Sequence, residues 1–243
     1  MKAIILAAGM ATRLRPLTLN TPKCLLDVAG RSLLQRSMDA LIANGVREFV
    51  IVTGYLHEKI EAFVAQQYGD SISVKFIHNA LFDSTNNIYS LWLARPEADG
   101  QEILLLDSDL LYDKQIITEV LACKNDNVLT LIRHDLGEEE MKVVLGTEGT
   151  IKEISKTCDP AAAAGESLGI EKMGNAYTNA LYKELEVMMN DEHLENKFYE
   201  LAFERLIPQG HTYHVIDMTN YFSCELDTVE DFENAKEKIP ADL

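Results

Sequence analysis

Positive charge is in short supply. The 243 residues hold 22 lysines and arginines against 39 aspartates and glutamates, a formal net charge of −17. A chain so acidic repels phosphate polyanions at long range, which excludes a general nucleic-acid binder and a binder of anionic membranes. Cysteine is scarce too. Cys24, Cys123, Cys158 and Cys224 form no C-x-x-C pair and have no histidine cluster beside them. Neither a zinc site nor a disulfide framework is expected, and a reducing cytoplasm is the default. No apolar run approaches the length of a membrane-spanning helix. The run Ala3–Ala8 behind Met1 and Lys2 superficially resembles a secretory signal, but it is too short, and Arg13 and Arg15 follow without a processing site. A soluble, cytoplasmic protein is therefore expected. Internal repeats, a low-complexity linker and an obvious catalytic His or Ser triad are also missing.

What is present suits one substantial core, with 47% hydrophobic and 25% charged residues. Short apolar runs bounded by turn residues read as buried parallel strands: Ala3–Ala8, Phe49–Thr53, Val74–Ile77, Ile103–Leu106 and Val128–Ile132. Helical patterns lie between them over Leu33–Asn44, Lys59–Tyr68 and Asn87–Arg95, the last with Ser84 or Thr85 as its cap. This alternation predicts an α/β fold with a doubly wound, mostly parallel, Rossmann-like sheet. After about residue 135 the pattern changes to short strands at Lys142–Leu145, Ile151–Ile154 and Ser167–Glu171. Helices at Tyr177–Asn190 and Leu194–Ile207, a strand at Tyr213–Ile216 and a closing helix at Val229–Lys238 follow. This part reads as a smaller region packed on the same sheet.

The stretch from Leu6 to Thr18, LAAGMATRLRPLT, follows the first strand directly. Small residues at 7 to 9 let backbone amides approach an anion closely, and such amide concavities favour phosphate. Arg13 adds a forked donor for phosphate oxygens, and Thr21-Pro22-Lys23 supplies a proline-stiffened lysine suited to a single phosphate. The spacing is neither a Walker loop nor the G-x-G-x-x-G fingerprint. A tight turn with solvating arginines would account for a lone Gly9. Strand, small-residue loop, arginine and Pro-Lys in fixed order are far more specific.

Ile103 to Asp109, ILLLDSD, is an apolar strand ending in two carboxylates. Ligands of open α/β sheets bind at the carboxyl ends of strands, and magnesium takes one or two carboxylates plus phosphate oxygens. A second acidic stretch, Cys224 to Thr228, lies between a strand and the last helix. There a helix-capping role for Asp227 competes with a metal-binding one.

The run L-A-A-G-x-x-T-R-L-x-P-L-T-x-x-x-P-K resembles the signature of nucleotidyltransferases that activate sugar phosphates and related alcohol phosphates. The likeness extends through Val52-Thr53-Gly54-Tyr55 and the acidic stretches to nearly the whole chain, with Ala11 where members often carry glycine. It implies a nucleotidyltransferase-type domain over 1–243, with residues 1–134 binding the nucleotide and 135–243 the acceptor. Loop amides around Leu6, Ala8, Gly9 and Met10, together with Arg13, would hold the β- and γ-phosphates. Lys23 would hold the α-phosphate or the acceptor phosphate. Asp109 and Asp227 would bind Mg²⁺, with Asp107 as a supporting acid. Arg13, Lys23 and Asp109 would then carry the chemistry. An acceptor oxygen attacks the α-phosphorus in line, pyrophosphate leaves, and no general base is needed because the oxygen is already ionised.

His78 to Leu91, in the form N-x(5)-T-N-N-x-x-S-L, is similar to the branch making CDP-linked small alcohols. That branch includes phosphocholine and 2-aminoethylphosphonate cytidylyltransferases and inositol-phosphate relatives. The resemblance implies CTP as donor, with Asn79, Ser84, Thr85 and Asn86 around the base. On the acceptor side Lys142 and Lys156 are set for phosphate, and Glu166 belongs to a G-E-x-x-G-I segment seen in the same branch. Tyr199, Glu200 and Glu225 would suit an amine-bearing acceptor, since carboxylates and aromatic faces attract ammonium. Tyr177, Tyr199 and Tyr221 are the aromatic faces on offer, whereas Phe198 and Phe203 read as core. Two alternatives remain: a sugar-1-phosphate or inositol-phosphate nucleotidyltransferase, and a catalytically silent regulatory homologue. The partners expected are small molecules, without nucleic acid or membrane, and the oligomeric state is open.

Overall fold

In the computed structural model, which describes residues 1–240 and 243, the chain opens with β1 (Lys2–Ala7), the short hairpin of β2 (Asp27–Val28) and β3 (Arg31–Ser32), and α1 (Leu33–Ala43). Next come β4 (Glu48–Thr53), α2 (His57–Tyr68), β5 (Ser73–His78), α3 (Asn87–Leu93) and α4 (Arg95–Ala98). β6 (Ile103–Asp107), β7 (Leu110–Tyr112), α5 (Gln115–Ala122) and β8 (Val128–Ile132) complete the first half. The second holds β9 (Lys142–Leu145), β10 (Ile151–Ser155), β11 (Gly165–Met173), α6 (Asn175–Asn190), α7 (Glu200–Leu206), β12 (His214–Asp217), β13 (Ser223–Glu225) and α8 (Val229–Lys238).

The main sheet runs β10–β9–β11–β6–β1–β4–β5, with β8 beside β11 and β12 beside β8. Pairing is parallel across β6–β1–β4–β5, as expected for βαβ units. The sheet becomes mixed because β11 returns without a helical crossover and lies antiparallel to β6, β8 and β9. The period of two along each central strand sorts its residues onto opposite faces. Ile4, Leu6, Val50 and Val52 pack against α3, α6 and α7. Ala3, Ile5, Phe49 and Ile51 pack against α1, α2 and α5 on the other side. A third cluster, including Leu26, Leu111, Leu226 and Phe232, seals the β2–β3 hairpin, the β7–β13 pair and α8 together.

Three expectations need correction. The helix placed over 194–207 begins only at Glu200. Backbone groups upstream are committed to the 79–87 loop: Asn86 donates to the Glu195 carbonyl at 2.8 Å and Tyr199 donates to Asn87 Oδ1 at 3.0 Å. The helix expected over Asn87–Arg95 is two pieces, α3 and α4, with Pro96 in the first turn of the second. Its cap is Asn86, because the Ser84 and Thr85 hydroxyls donate back to the Leu81 carbonyl. Among the described residues, no helix is long and apolar enough to cross a membrane.

Candidate active site

Register brings the two sequence motifs together. Leu6 at the end of β1 pairs with Asp107 at the end of β6, so the glycine-rich loop and the acidic strand end emerge side by side. The loop is shaped by a close approach from β4. A Cβ on Gly54 would lie 2.7 Å from the Ala8 carbonyl oxygen and 2.6 Å from Phe82 Cβ, so only glycine fits there without displacing the loop. Ala11 takes φ 45° and ψ 55°, left-handed backbone that glycine adopts without cost and alanine does not. Its carbonyl accepts from the Leu14 amide at 3.1 Å and the Thr18 hydroxyl at 2.9 Å, which holds the bend.

Asp227 reaches Asp109 through the β7–β13 pair, in which Glu225 is in register with Leu110 and the Leu226 amide donates to the Asp109 carbonyl. Lys23 bridges the two acids, 2.9 Å from Asp109 Oδ2 and 2.7 Å from Asp227 Oδ1, and Arg13 donates to Asp227 Oδ2 at 2.6 Å. Burial works against the Lys23 charge, but the two carboxylates more than offset it and hold the ammonium above the ordinary lysine value. For Asp227 burial pulls upward, and the Lys23 and Arg13 charges prevail and hold it below the usual carboxylate value. Asp227 does not cap α8. Thr228 does, in a reciprocal box with Asp231, which leaves the Asp227 carboxylate free for the site.

These groups line a cavity of about 410 Å³ at the carboxyl ends of β1 and β6. Loop residues Leu6, Ala8 and Gly9 line it, and so do Thr85, Asn86 and Asn87. Asn79 is on the lining but fully engaged. Its amide donates to Thr85 and Ser90 and accepts from the Leu81 amide, so it shapes the base loop instead of offering free donors. Asp107 carries a hydrogen bond from the Tyr199 hydroxyl at 2.9 Å. Burial, then the neighbouring charges of Asp109, Glu200 and Glu171, raise its carboxyl well above the usual range. Gly169, at φ +75°, abuts it, where a Cβ would lie 2.8 Å from Asp107 Oδ2.

The far end of the cavity is acidic, with Glu166, Glu200 and Glu225 on its wall beside Lys156 and Phe198. Glu200 is buried, and burial pushes it up to about 7 despite its backbone hydrogen bond and the Lys156 charge. Glu225 keeps solvent access at its surface. The protein packed around its carboxyl and the Asp109, Glu166 and Asp227 charges push it up to about 8.

Other expected site residues lie elsewhere. Met10 and Ser84 are off the cavity wall; Ser84 is tied to the Leu81 carbonyl. Lys142 is buried, its ammonium donating to the Glu140 and Lys156 carbonyls, so Lys156 is the lysine that faces the cavity. Tyr199 lies beneath the floor as the support of Asp107, and Tyr177 is core. Tyr221 is turned away to Glu119. Phe198 was expected in the core; it is 40% exposed on the cavity wall because it precedes α7 and is not part of a helical face. Asn87 and Glu171 were not anticipated. The hydrogen bond from the Tyr199 amide to Asn87 joins two segments far apart in sequence, and no local pattern encodes it.

A profile of the nucleotidyl transferase family matches residues 2–140. The chain is 38% identical over 110 residues to a choline-phosphate cytidylyltransferase of Streptococcus pneumoniae, a match covering 45% of this chain and 46% of that protein. It is 32% identical over 240 residues to the bifunctional IPC transferase and DIPP synthase of Aquifex aeolicus, covering 98% of this chain and 51% of that protein. The chain thus spans about half the length of these two relatives. The solved structure of the CTP:phosphocholine cytidylyltransferase LicC from Streptococcus pneumoniae superposes with a TM-score of 0.82 at 22% identity, covering 98% of this chain and 99% of that one. The fold is therefore shared across the full length.

Proposed function

The chain belongs to the nucleotidyl transferase family, and on that premise we propose that it is a Mg²⁺-dependent cytidylyltransferase. It would transfer CMP from CTP to a small phosphorylated or phosphono alcohol bearing an amine, with release of pyrophosphate. The observation that carries the reading is the convergence of Asp109 and Asp227 on one ammonium, Lys23, beside an amide-rich loop. Two carboxylates arranged around a cation fit magnesium, which completes its shell with phosphate oxygens and water. Among the described residues, no group of three or more such protein ligands is gathered, in keeping with a metal held largely by substrate. Bound by Asp109 and Asp227, the ion would neutralise charge developing on the phosphates.

The chain's own groups do the rest. Backbone amides at Ala8 and Gly9 receive phosphate oxygens, and Arg13 clamps them. Lys23 balances charge at the reacting phosphorus. Asn86, whose Oδ1 accepts from the Asn87 amide, keeps its NH₂ for a nucleobase acceptor atom. The choline-phosphate relative is a cytidylyltransferase by name, and the structural neighbour is named for CTP. A catalytically silent homologue is disfavoured by the intact cluster of Arg13, Lys23, Asp109 and Asp227. An inositol-phosphate acceptor is the second reading, supported by the likeness in fold to the solved inositol-1-phosphate CTP transferase of T. maritima, at a TM-score of 0.77 and 21% identity.

The test is pyrophosphate release from the four NTPs against phosphoethanolamine, 2-aminoethylphosphonate, phosphocholine, inositol 1-phosphate and several sugar 1-phosphates. CTP with an amine acceptor is expected to dominate, and preference for another NTP or a neutral acceptor would overturn the assignment. Asp109→Asn and Asp227→Asn should each lower kcat by at least ~10²-fold, with the fold retained by circular dichroism. Full turnover at limiting Mg²⁺ would remove that residue from the site.

A further inference from the structure

At the acceptor end of the cavity a buried carboxylate oxygen is left without a hydrogen-bond donor. Glu200 is 6% exposed, lines the cavity, and its Oε2 has no hydrogen-bond donor. Glu171, which feels the Glu200 charge, is fully buried and also has one oxygen without a partner, its other accepting from Ser167 at 3.4 Å. The nearby cations are spoken for. Lys23 and Arg13 are paired with Asp109 and Asp227. Lys156 stands over the Phe198 ring, 4.6 Å from its centre and 3.5 Å from Glu139, and makes no hydrogen bond to Glu200. A buried acceptor without a donor is a standing cost that an entering donor removes.

Two kinds of ammonium answer this differently. A trimethylated one has no N–H and is recognised by aromatic faces. Among the described residues no open aromatic cage forms at this end: Tyr177, Tyr199, Tyr213 and Phe203 stack on one another in the core, Lys156 stands over the Phe198 ring, and Phe82 pairs with Tyr55. A primary ammonium brings three donors and a charge. A polyol hydroxyl brings a donor but no charge that would favour the ionised form of Glu200. We infer that the acceptor carries a primary ammonium donating to Glu200 Oε2, and that Glu200 selects it over its trimethylated counterpart. This rests on the amine reading above and narrows it.

The experiment is a methylation series at saturating CTP: phosphoethanolamine, its N-methyl and N,N-dimethyl derivatives, and phosphocholine, with inositol 1-phosphate as the control without an ammonium. Wild type should lose at least ~100-fold in kcat/KM from the primary to the trimethylated acceptor, with a sharp fall at loss of the last N–H. Glu200→Gln should raise KM for phosphoethanolamine at least tenfold, flatten the series and leave KM for CTP unchanged. If that variant does not fold, Glu200→Asp and the wild-type series decide. Phosphocholine matching or exceeding phosphoethanolamine in wild type would overturn the inference and leave the amine reading standing. Inositol 1-phosphate surpassing every amine would overturn both. An equal loss for all acceptors in Glu200→Gln would reveal a merely structural role and sink the selectivity claim.

Discussion

Ala11 occupies the one place in the phosphate loop where the side chain and the backbone disagree. Its left-handed conformation costs an alanine about 1–2 kcal/mol, yet the bend is held by the Leu14 amide and the Thr18 hydroxyl. Replacement by glycine relieves that strain and adds freedom to the unfolded chain, which offsets part of the gain. Ala11→Gly should therefore stabilise the protein by ~0.5–1 kcal/mol, seen as a higher urea midpoint at constant slope. A lower midpoint would mean the Cβ makes contacts worth more than the strain. Asp227 shows a different lesson. Its competing role as a helix cap is resolved by its neighbours, since Thr228 and Asp231 form the box on their own. The T-x-x-D spacing was there to be read, and it releases Asp227 to pair with Lys23 and Arg13.

Elements buried on both faces were legible as continuous apolar runs, and β8, β9 and α8 fall on their expected bounds. The β2–β3 hairpin and the β7–β13 pair were not, because two- and three-residue strands are too short to show a period. Segment 194–199 was misread as helix because its irregular path is dictated by partners on the 79–87 loop. The end of β8 and the start of β11 carry a titratable latch: His134 Nε2 lies 2.7 Å from Glu166 Oε2 and Nδ1 lies 2.9 Å from the Asp135 carbonyl. Burial opposes the imidazolium, but the Glu166 and Asp135 hydrogen bonds and the Glu166 and Glu140 charges raise His134 above its ordinary value. Burial also raises Glu166, so both groups favour binding protons in the folded state. The latch stabilises fully below the unfolded histidine value of about 6.5 and is lost as pH rises through the raised one. The melting-temperature advantage of wild type over His134→Gln should accordingly shrink between about pH 6 and 8. A constant difference would show that the contact does not depend on the proton.

At the scale of the molecule, a net charge of −17 opposes the two anionic substrates proposed above, while Arg13 and Lys23 are already paired with acids. Raising ionic strength from ~0.01 to ~0.15 M shortens the screening length from about 30 to about 8 Å. At fixed free Mg²⁺, kcat/KM for the acceptor should rise several-fold over that range. A fall would mean that a local positive field, and not the overall charge, governs encounter. The β7–β13 pairing has a consequence in time as well as space. Asp109 and the glycine-rich loop belong to the early part of the chain, whereas Asp227 arrives only with β13. During translation the sheet β6–β1–β4–β5 can form while Asp227 is still inside the ribosome. The nascent chain therefore lacks the second carboxylate until β13 has been made, and a copy that has not reached Asp227 would hold only half of the proposed metal site however well its core has folded.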